Sequence, residues 1–259
     1  MFNTLKYEVK DNICTIALNR PEVYNAFNNE MSFELQDALK QATRDKDARV
    51  VILTGEGKAF CSGQDLKDVQ GSKNRSLSDS IYKRYNPIIR AIRNMPKPVI
   101  ARVNGVAAGA GCSLALACDI IVSSEAASFI EVFVNIGLVL DSGSSFFLPN
   151  LVGYNKAFEL STLGSKVSAK EAHELGIVNK LAAPEELDEA VASYASRYAI
   201  APTKAIGLMK KMLNKAYNAN MEDMLQYEAY CQEIAGRSHD YKEGTTAFLE
   251  KRKPEFKGE

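Results

Sequence analysis

Three short stretches of this chain carry residue types that can do chemistry. Asp141 follows an apolar run (Ile136, Leu138, Val139, Leu140) and precedes Ser142-Gly143. A carboxylate drawn into a dry pocket holds its proton more tightly and becomes a better proton shuttle; an Asp before Ser-Gly also has the form of a helix N-cap. Gly109-Ala110-Gly111 opens a run of small residues reaching Ala117. Such a run is either a helix packed closely on a strand or a helix start whose backbone N–H groups face a ligand and attract developing negative charge. The loop from Lys58 to Leu66, containing Ser62, Gly63, Gln64 and Asp65, supplies a second glycine-shaped turn after a strand. Loops in that position are where α/β proteins keep their ligands. Together the two turns offer independent backbone donors to one ester or thioester oxygen.

Other chemistries lack their residues. A dinucleotide fingerprint starting at Gly109 needs Gly or Ala at position 114, where Leu114 stands, and no phosphate-binding GxxxxGK[ST] run occurs. Five cysteines (Cys14, Cys61, Cys112, Cys118, Cys231) are odd in number and lack CxxC spacing. Neither a disulfide framework nor a zinc site is expected, and a reducing, cytoplasmic setting fits. Of the cysteines, Cys61 is the one expected at a pocket wall. Charge balances, with 32 Lys and Arg against 32 Asp and Glu, which gives no reason to expect nucleic acid. No apolar run is long enough for a membrane span, and the first residues lack the apolar core of a leader. A soluble protein acting on a small molecule is expected.

The elements that position these stretches read as follows. Tyr7–Val9 and Ile13–Leu18 form short strands around an Asp11-Asn12 turn. Asn28 or Asn29 caps a helix with Met31, Leu35, Leu39 and Ala42 on one face. Strands are expected at 50–54, 99–103, 119–123 and 128–134, and one helix ends near Met95 before Pro96 and Pro98. The stretch 71–77 is polar and expected to be mobile. Ser168 with Glu171 forms a capping box, Gly176 stops that helix, and 177–181 makes a last strand. Strands and helices alternate for two thirds of the chain and helices follow, giving an α/β class.

Several motifs together resemble the crotonase, or enoyl-CoA hydratase/isomerase, superfamily. They are Lys58–Leu66, Pro96–Gly105 and Gly109–Asp119, flanked by Leu18–Phe27, Ser168–Val178 and Glu243–Phe256. The resemblance spans nearly the whole chain in the right order. It implies a ClpP-like spiral of ββα units over residues 1–200 and a helical trimerisation region over 201–259. It further implies a homotrimer or dimer of trimers, an acyl-CoA substrate, and no cofactor or metal beyond the coenzyme A moiety.

The family's oxyanion hole maps onto the backbone N–H groups of Gln64 and Ala110. Coenzyme A contacts map onto Tyr24, Ala26, Ser62, Asp65, Leu66, Gly111 and Phe133, with Phe248 and Lys251 reaching the adenine and phosphate end of a neighbouring subunit's site. Ser113 and Phe133 stand where hydratases of the family carry glutamates, so water activation is disfavoured. Asp141 matches the working carboxylate of enoyl-CoA isomerases, ring-epoxide isomerases and dehalogenases. The resemblance therefore implies a Δ3,Δ2-enoyl-CoA isomerase with Asp141 as single base. A ring-epoxide or oxepin isomerase is the runner-up; a dehalogenase is disfavoured by the absence of tryptophan, and a hydratase or a non-catalytic binding protein are further alternatives. Glu131, two residues before Phe133 on the expected strand, reads as a surface or interface charge, with a displaced second acid as the alternative. His173 and His239 read as solvated or structural.

Overall fold

The computed structural model describes residues 2–69 and 76–259, so the mobile stretch expected at 71–77 lies mostly outside the described residues. The chain starts with the hairpin β1 (Leu5–Lys10) and β2 (Ile13–Leu18), turned by Asp11 and Asn12, both at positive φ. Helix α1 (Asn29–Arg44) begins where the Asn28 side chain accepts from the Met31 N–H at 2.8 Å, and it buries Met31, Leu35, Leu39 and Ala42. Three ββ pairs follow, interleaved with helices. They are β3 (Val50–Gly55) with β4 (Ala59–Cys61), β5 (Val99–Val103) with β6 (Val106–Ala108), and β7 (Ile120–Ser124) with β8 (Ser128–Ile130). Each pair sends its first strand into one sheet and its second into another, which generates the spiral.

Helices α2 (Leu66–Val69) and α3 (Leu77–Ser80) lie between β4 and β5. A π-helical turn, Ile81–Tyr85, joins α3 to α4 (Asn86–Asn94), so the single helix expected here has a widened turn inside it. Helix α5 (Ala110–Leu116) follows β6. After β8 come α6 (Ser144–Val152), α7 (Tyr154–Leu163), β9 (Lys166–Ser168), α8 (Ala169–Glu174), β10 (Lys180–Ala182) and α9 (Leu187–Ala199). The chain ends in α10 (Thr203–Ala216), α11 (Met221–Gly236) and α12 (His239–Glu250). The large sheet runs β1-β2-β3-β5-β7-β10, parallel except for the first hairpin, and the small sheet runs β4-β6-β8-β9.

Two core regions explain the strand compositions. One face of the large sheet presents Val50, Ile100 and Val122 to Leu187, Val191 and Ala195 of α9. The other face joins α1, α4 and the small sheet in a single apolar cluster. Central parallel strands buried on both faces need continuous apolar runs, and Val50–Leu53 is one. Three expectations need correction. Strands β4, β6 and β9 have three residues each, too few to show a period. The expected strand 128–134 stops at Ile130, and Val132–Ile136 form a 3-10 turn instead. The last strand is shifted to Lys180–Ala182, because Ile177 and Val178 are buried in the turn after α8.

The C-terminal helices attach through a buried cation. Lys210 of α10 donates to the carbonyls of Ile92 (2.7 Å) and Lys97 (3.1 Å) and to Asp119 Oδ2 (2.6 Å). The same Asp119 oxygen accepts the Val99 N–H at 2.8 Å, fixing the start of β5. Burial lowers the Lys210 pKa, and the Asp119 charge opposes that. Removing one partner of such a group strands the other without water. Asp119→Ala is expected to cost roughly 2–4 kcal/mol, read as a lowered urea midpoint with an unchanged slope.

Candidate active site

The two glycine-shaped turns are pressed against each other. Gly63 has φ +93°, and a Cβ there would fall 2.8 Å from the Ala108 carbonyl oxygen and 3.5 Å from the Ala110 nitrogen. A Cβ on Gly111 would fall 2.1 Å from the Cys61 carbonyl oxygen. Only bare backbone lets the end of β4 and the start of α5 come this close. Ala110 is the first residue of α5, so the helix's own hydrogen-bond ladder makes no use of its N–H. On the other turn, the Gln64 side chain is committed elsewhere. It donates to the Phe27 (2.8 Å) and Asp65 (3.0 Å) carbonyls and accepts from the Tyr85 hydroxyl at 2.6 Å. The chemistry this residue can lend is therefore that of its main chain.

A cavity of about 380 Å³ opens over these turns. Ser62, Gly63, Gln64, Gly109 and Ala110 line one side; Phe133 and Asp141 line another. Leu66, Leu77, Ile81 and Tyr85 supply an apolar wall, with Leu138, Val139 and Leu140 opposite. No sequence pattern singles out Leu77, Ile81 and Tyr85; Ile81 and Tyr85 are the two ends of the π-helical turn, a feature without a sequence period. A larger cleft of about 700 Å³ lies beside α10, but its charged groups, Arg93, Asp119 and Lys210, are paired with one another.

Asp141 sits half-buried at the cavity edge, immediately before a strained turn in which Ser142 (φ +52°) and Gly143 (φ +85°) are both left-handed. It is not the cap of the next helix; Gly143 occupies that position. The Asp141 carbonyl accepts from the Ser144 N–H at 3.1 Å and lies 3.2 Å from Ser113 Oγ. The Ser142 hydroxyl donates to Asp141 Oδ1 at 2.8 Å. Burial raises the Asp141 pKa, and the Ser142 hydrogen bond opposes the rise.

Glu131 is not a surface charge. It is 4% exposed, and it follows β8 rather than lying within a strand, so it shares no strand face with Phe133. Its Oε1 lies 2.9 Å from Ser144 Oγ, and its Oε2 is buried with no hydrogen-bond partner. Burial pushes its pKa up to about 7, with the Asp141 charge adding to the rise and the Ser144 hydrogen bond opposing it. Cys61 also departs from expectation. It is fully buried away from the cavity, its thiol donates to the Asn25 carbonyl at 3.1 Å, and burial holds its pKa at about 12.

The remaining expected site residues are distributed as follows. Tyr24 is exposed at φ +54°, and its carbonyl accepts from the Ser62 N–H; Ala26 is buried beside it. Asp65 pairs with Arg20 at 3.0 Å, and Gly111 is packed under Cys61. None of these four lines the cavity, and neither do Phe248 and Lys251 at the end of α12. His173 is exposed with Nδ1 on the Val178 carbonyl, and His239 is exposed beside Asp240.

The family model for enoyl-CoA hydratase/isomerase matches residues 8–259. The chain belongs to this family, within the crotonase superfamily. It is 41% identical to the 1,2-epoxyphenylacetyl-CoA isomerase of Escherichia coli, with all of both chains covered. It is 32% identical to the trans-2-decenoyl-acyl-carrier-protein isomerase of Streptococcus mutans over 99% of each. An enoyl-CoA hydratase structure from Bacillus anthracis superposes with a TM-score of 0.95 at 32% identity, covering 99% of this chain and 100% of that one. Crotonase-family acyl-CoA chemistry is thus assigned, and relatives of both the isomerase and the hydratase kind accompany it. No helix among the described residues is long and apolar enough to cross a membrane.

Two outcomes follow from the site's geometry. Gly111→Ala is expected to destabilise the fold by about 2 kcal/mol or more, whereas Gly236→Ala, where a Cβ meets nothing within 4 Å, should leave the urea midpoint unchanged or raised. For pH, the folded-state pKa of Glu131 lies above its ordinary value of 4.5, at about 7. The stability this represents is fully present below the ordinary value and is lost as pH rises through about 7. Thermal melts from pH 5 to 8 should therefore show Glu131→Gln losing less Tm than the wild type.

Proposed function

We propose that this enzyme is an acyl-CoA isomerase that moves a double bond by a one-base 1,3-proton transfer. The observation that carries the reading is the pairing of one half-buried carboxylate, Asp141, with two apposed backbone turns in a single apolar cavity. The Gln64 and Ala110 N–H groups hold the thioester oxygen. Asp141 removes a proton from C2 of a 3-enoyl-CoA, the negative charge spreads into a dienolate on the held oxygen, and Asp141 returns the proton to C4. The product is the 2-enoyl-CoA. A positioned base contributes roughly 10²–10⁴-fold in rate, and one such backbone donor about 3 kcal/mol of transition-state stabilisation. The desolvation that raises the Asp141 pKa suits a group that must both take and give a proton.

Hydration is disfavoured because Ser113 and Phe133 cannot serve as carboxylate bases, and Ser113 is fully buried in a hydroxyl network. The same reading gives coenzyme A main-chain contacts along Tyr24–Ala26 and Ser62–Leu66. Phe248 and Lys251 then serve a neighbouring subunit's site in a trimer or dimer of trimers, which accords with their exposure and their distance from this chain's own cavity. A reducing, cytoplasmic setting belongs to it too, supported by five buried, unbridged cysteines.

A second reading, a ring-epoxide isomerase using the same Asp141, is favoured by the 41% identity to the Escherichia coli epoxyphenylacetyl-CoA isomerase. Turnover of 3-enoyl-, 2-enoyl- and ring-epoxide CoA esters, followed by absorbance and mass, separates the cases: an isomerase changes absorbance without mass, and a hydratase adds water. Asp141→Asn is expected to lower isomerisation of 3-enoyl-CoA at least 10²-fold while CoA-ester binding by calorimetry stays within about threefold. Retained turnover in that variant would remove Asp141 from the role of base.

A further inference from the structure

Behind Asp141 lies a buried chain of hydroxyls ending on a carboxyl that the proton transfer does not use. Ser113 Oγ is 3.2 Å from the Asp141 carbonyl oxygen, 3.2 Å from the Gly109 carbonyl oxygen and 2.6 Å from Ser144 Oγ. Ser144 Oγ is in turn 2.9 Å from Glu131 Oε1. Ser113 and Ser144 are fully buried, and Glu131 Oε2 has no partner. Each serine has one proton to give, so an ionised Glu131 forces one direction on the chain and a neutral Glu131 releases it. When Glu131 is neutral, its O–H is able to donate to Ser144, Ser144 to Ser113, and the Ser113 proton is released to the Asp141 and Gly109 carbonyls, which share it. When Glu131 is ionised, Ser144 must donate to it. At 2.6 Å the two serine oxygens cannot face each other lone pair to lone pair, so Ser113 must then donate to Ser144. The Asp141 carbonyl loses that donor.

We infer that Glu131 is a positioning residue whose protonation state sets the direction of the Ser144–Ser113 relay and thereby the hold on the strained Asp141–Gly143 turn. The inference rests on reading Asp141 as the base. The neutral form is the one that holds the turn. A void of about 10 Å³ beside Glu131 has space for one water at most, too little to hydrate a carboxylate fully. The titratable groups facing Glu131 among the described residues are Cys112 of α5 and Asp141. Burial and the neighbouring Glu131 charge raise the Cys112 pKa, so that thiol stays neutral, and Asp141 contributes a like charge that further favours neutral Glu131. The other side chains around it, from α5, β8, α6, α7, β9 and the turn at Ile177, carry no charge.

The test reads the Asp141 carbonyl directly. Protein labelled with 13C at aspartate carbonyls is titrated without substrate from pH 5.5 to 8.5, the Asp141 signal being the one missing in Asp141→Asn. The wild-type signal is expected to step with a midpoint near 7, and the step should vanish in Glu131→Gln and in Ser113→Ala. Should the glutamine variant not fold, Ser113→Ala cuts the chain at its other end. In parallel, kcat on 3-enoyl-CoA is expected to fall about three- to tenfold across the same midpoint, the scale of one directed hydrogen bond, and to flatten in both variants. A carbonyl that does not step, or a step that survives Glu131→Gln, overturns the relay. A stepping carbonyl in a protein that turns over no 3-enoyl ester leaves the relay standing and sinks the isomerase reading, so the two failures differ.

Discussion

The site exists because two pieces of main chain approach to a distance that no side chain allows. A Cβ on Gly63 would crowd the Ala108 peptide oxygen just before α5, and one on Gly111 would collide with the Cys61 peptide oxygen at the end of β4. Everything else in the spiral serves this approach. Each ββα unit places the end of a short second-sheet strand against the helix start of the next, so β4, β6 and α5 converge on one point. The sheets need only be parallel and buried; the glycines turn that architecture into a site.

On the other side of the cavity the constraint is electrostatic. Glu131 is buried and Asp141 half-buried, and no salt bridge reaches either among the described residues. The Asp141 charge adds to the rise of the Glu131 pKa, behind burial itself. The two buried serines lie between them. Ser113, where the family resemblance implies a hydratase glutamate, here links the Asp141 carbonyl to the Ser144 hydroxyl.

How much of this was legible in the sequence depends on the kind of signal. The core strands, α1 with its Asn28 cap and the α5 start announce themselves by apolar runs, spacing and small residues. Asp141 was legible through its apolar approach and the family resemblance. Short strands were not, since three residues make no period. Glu131 was misread as a surface or interface charge because a lone carboxylate carries no local sign of burial, and the alternation that tied it to Phe133 fails past Ile130, where the chain leaves its strand for a 3-10 turn. Its burial is imposed by α6 and α7, distant in sequence. The cavity wall from α3 and the π-helical turn depends on a helix irregularity that local composition does not encode.

Lys210 has a consequence for the order in which the molecule is completed. The pair it forms with Asp119 closes a span of 91 residues, and the same ammonium satisfies one carbonyl before the Pro96–Pro98 turn and one within it. During synthesis the spiral core therefore emerges from the ribosome with a carboxylate paired with Arg93 alone and two peptide oxygens waiting for a cation encoded much later. The α/β body is electrostatically unfinished until α10 arrives, and the helical region is a late-delivered part of the core's own wiring.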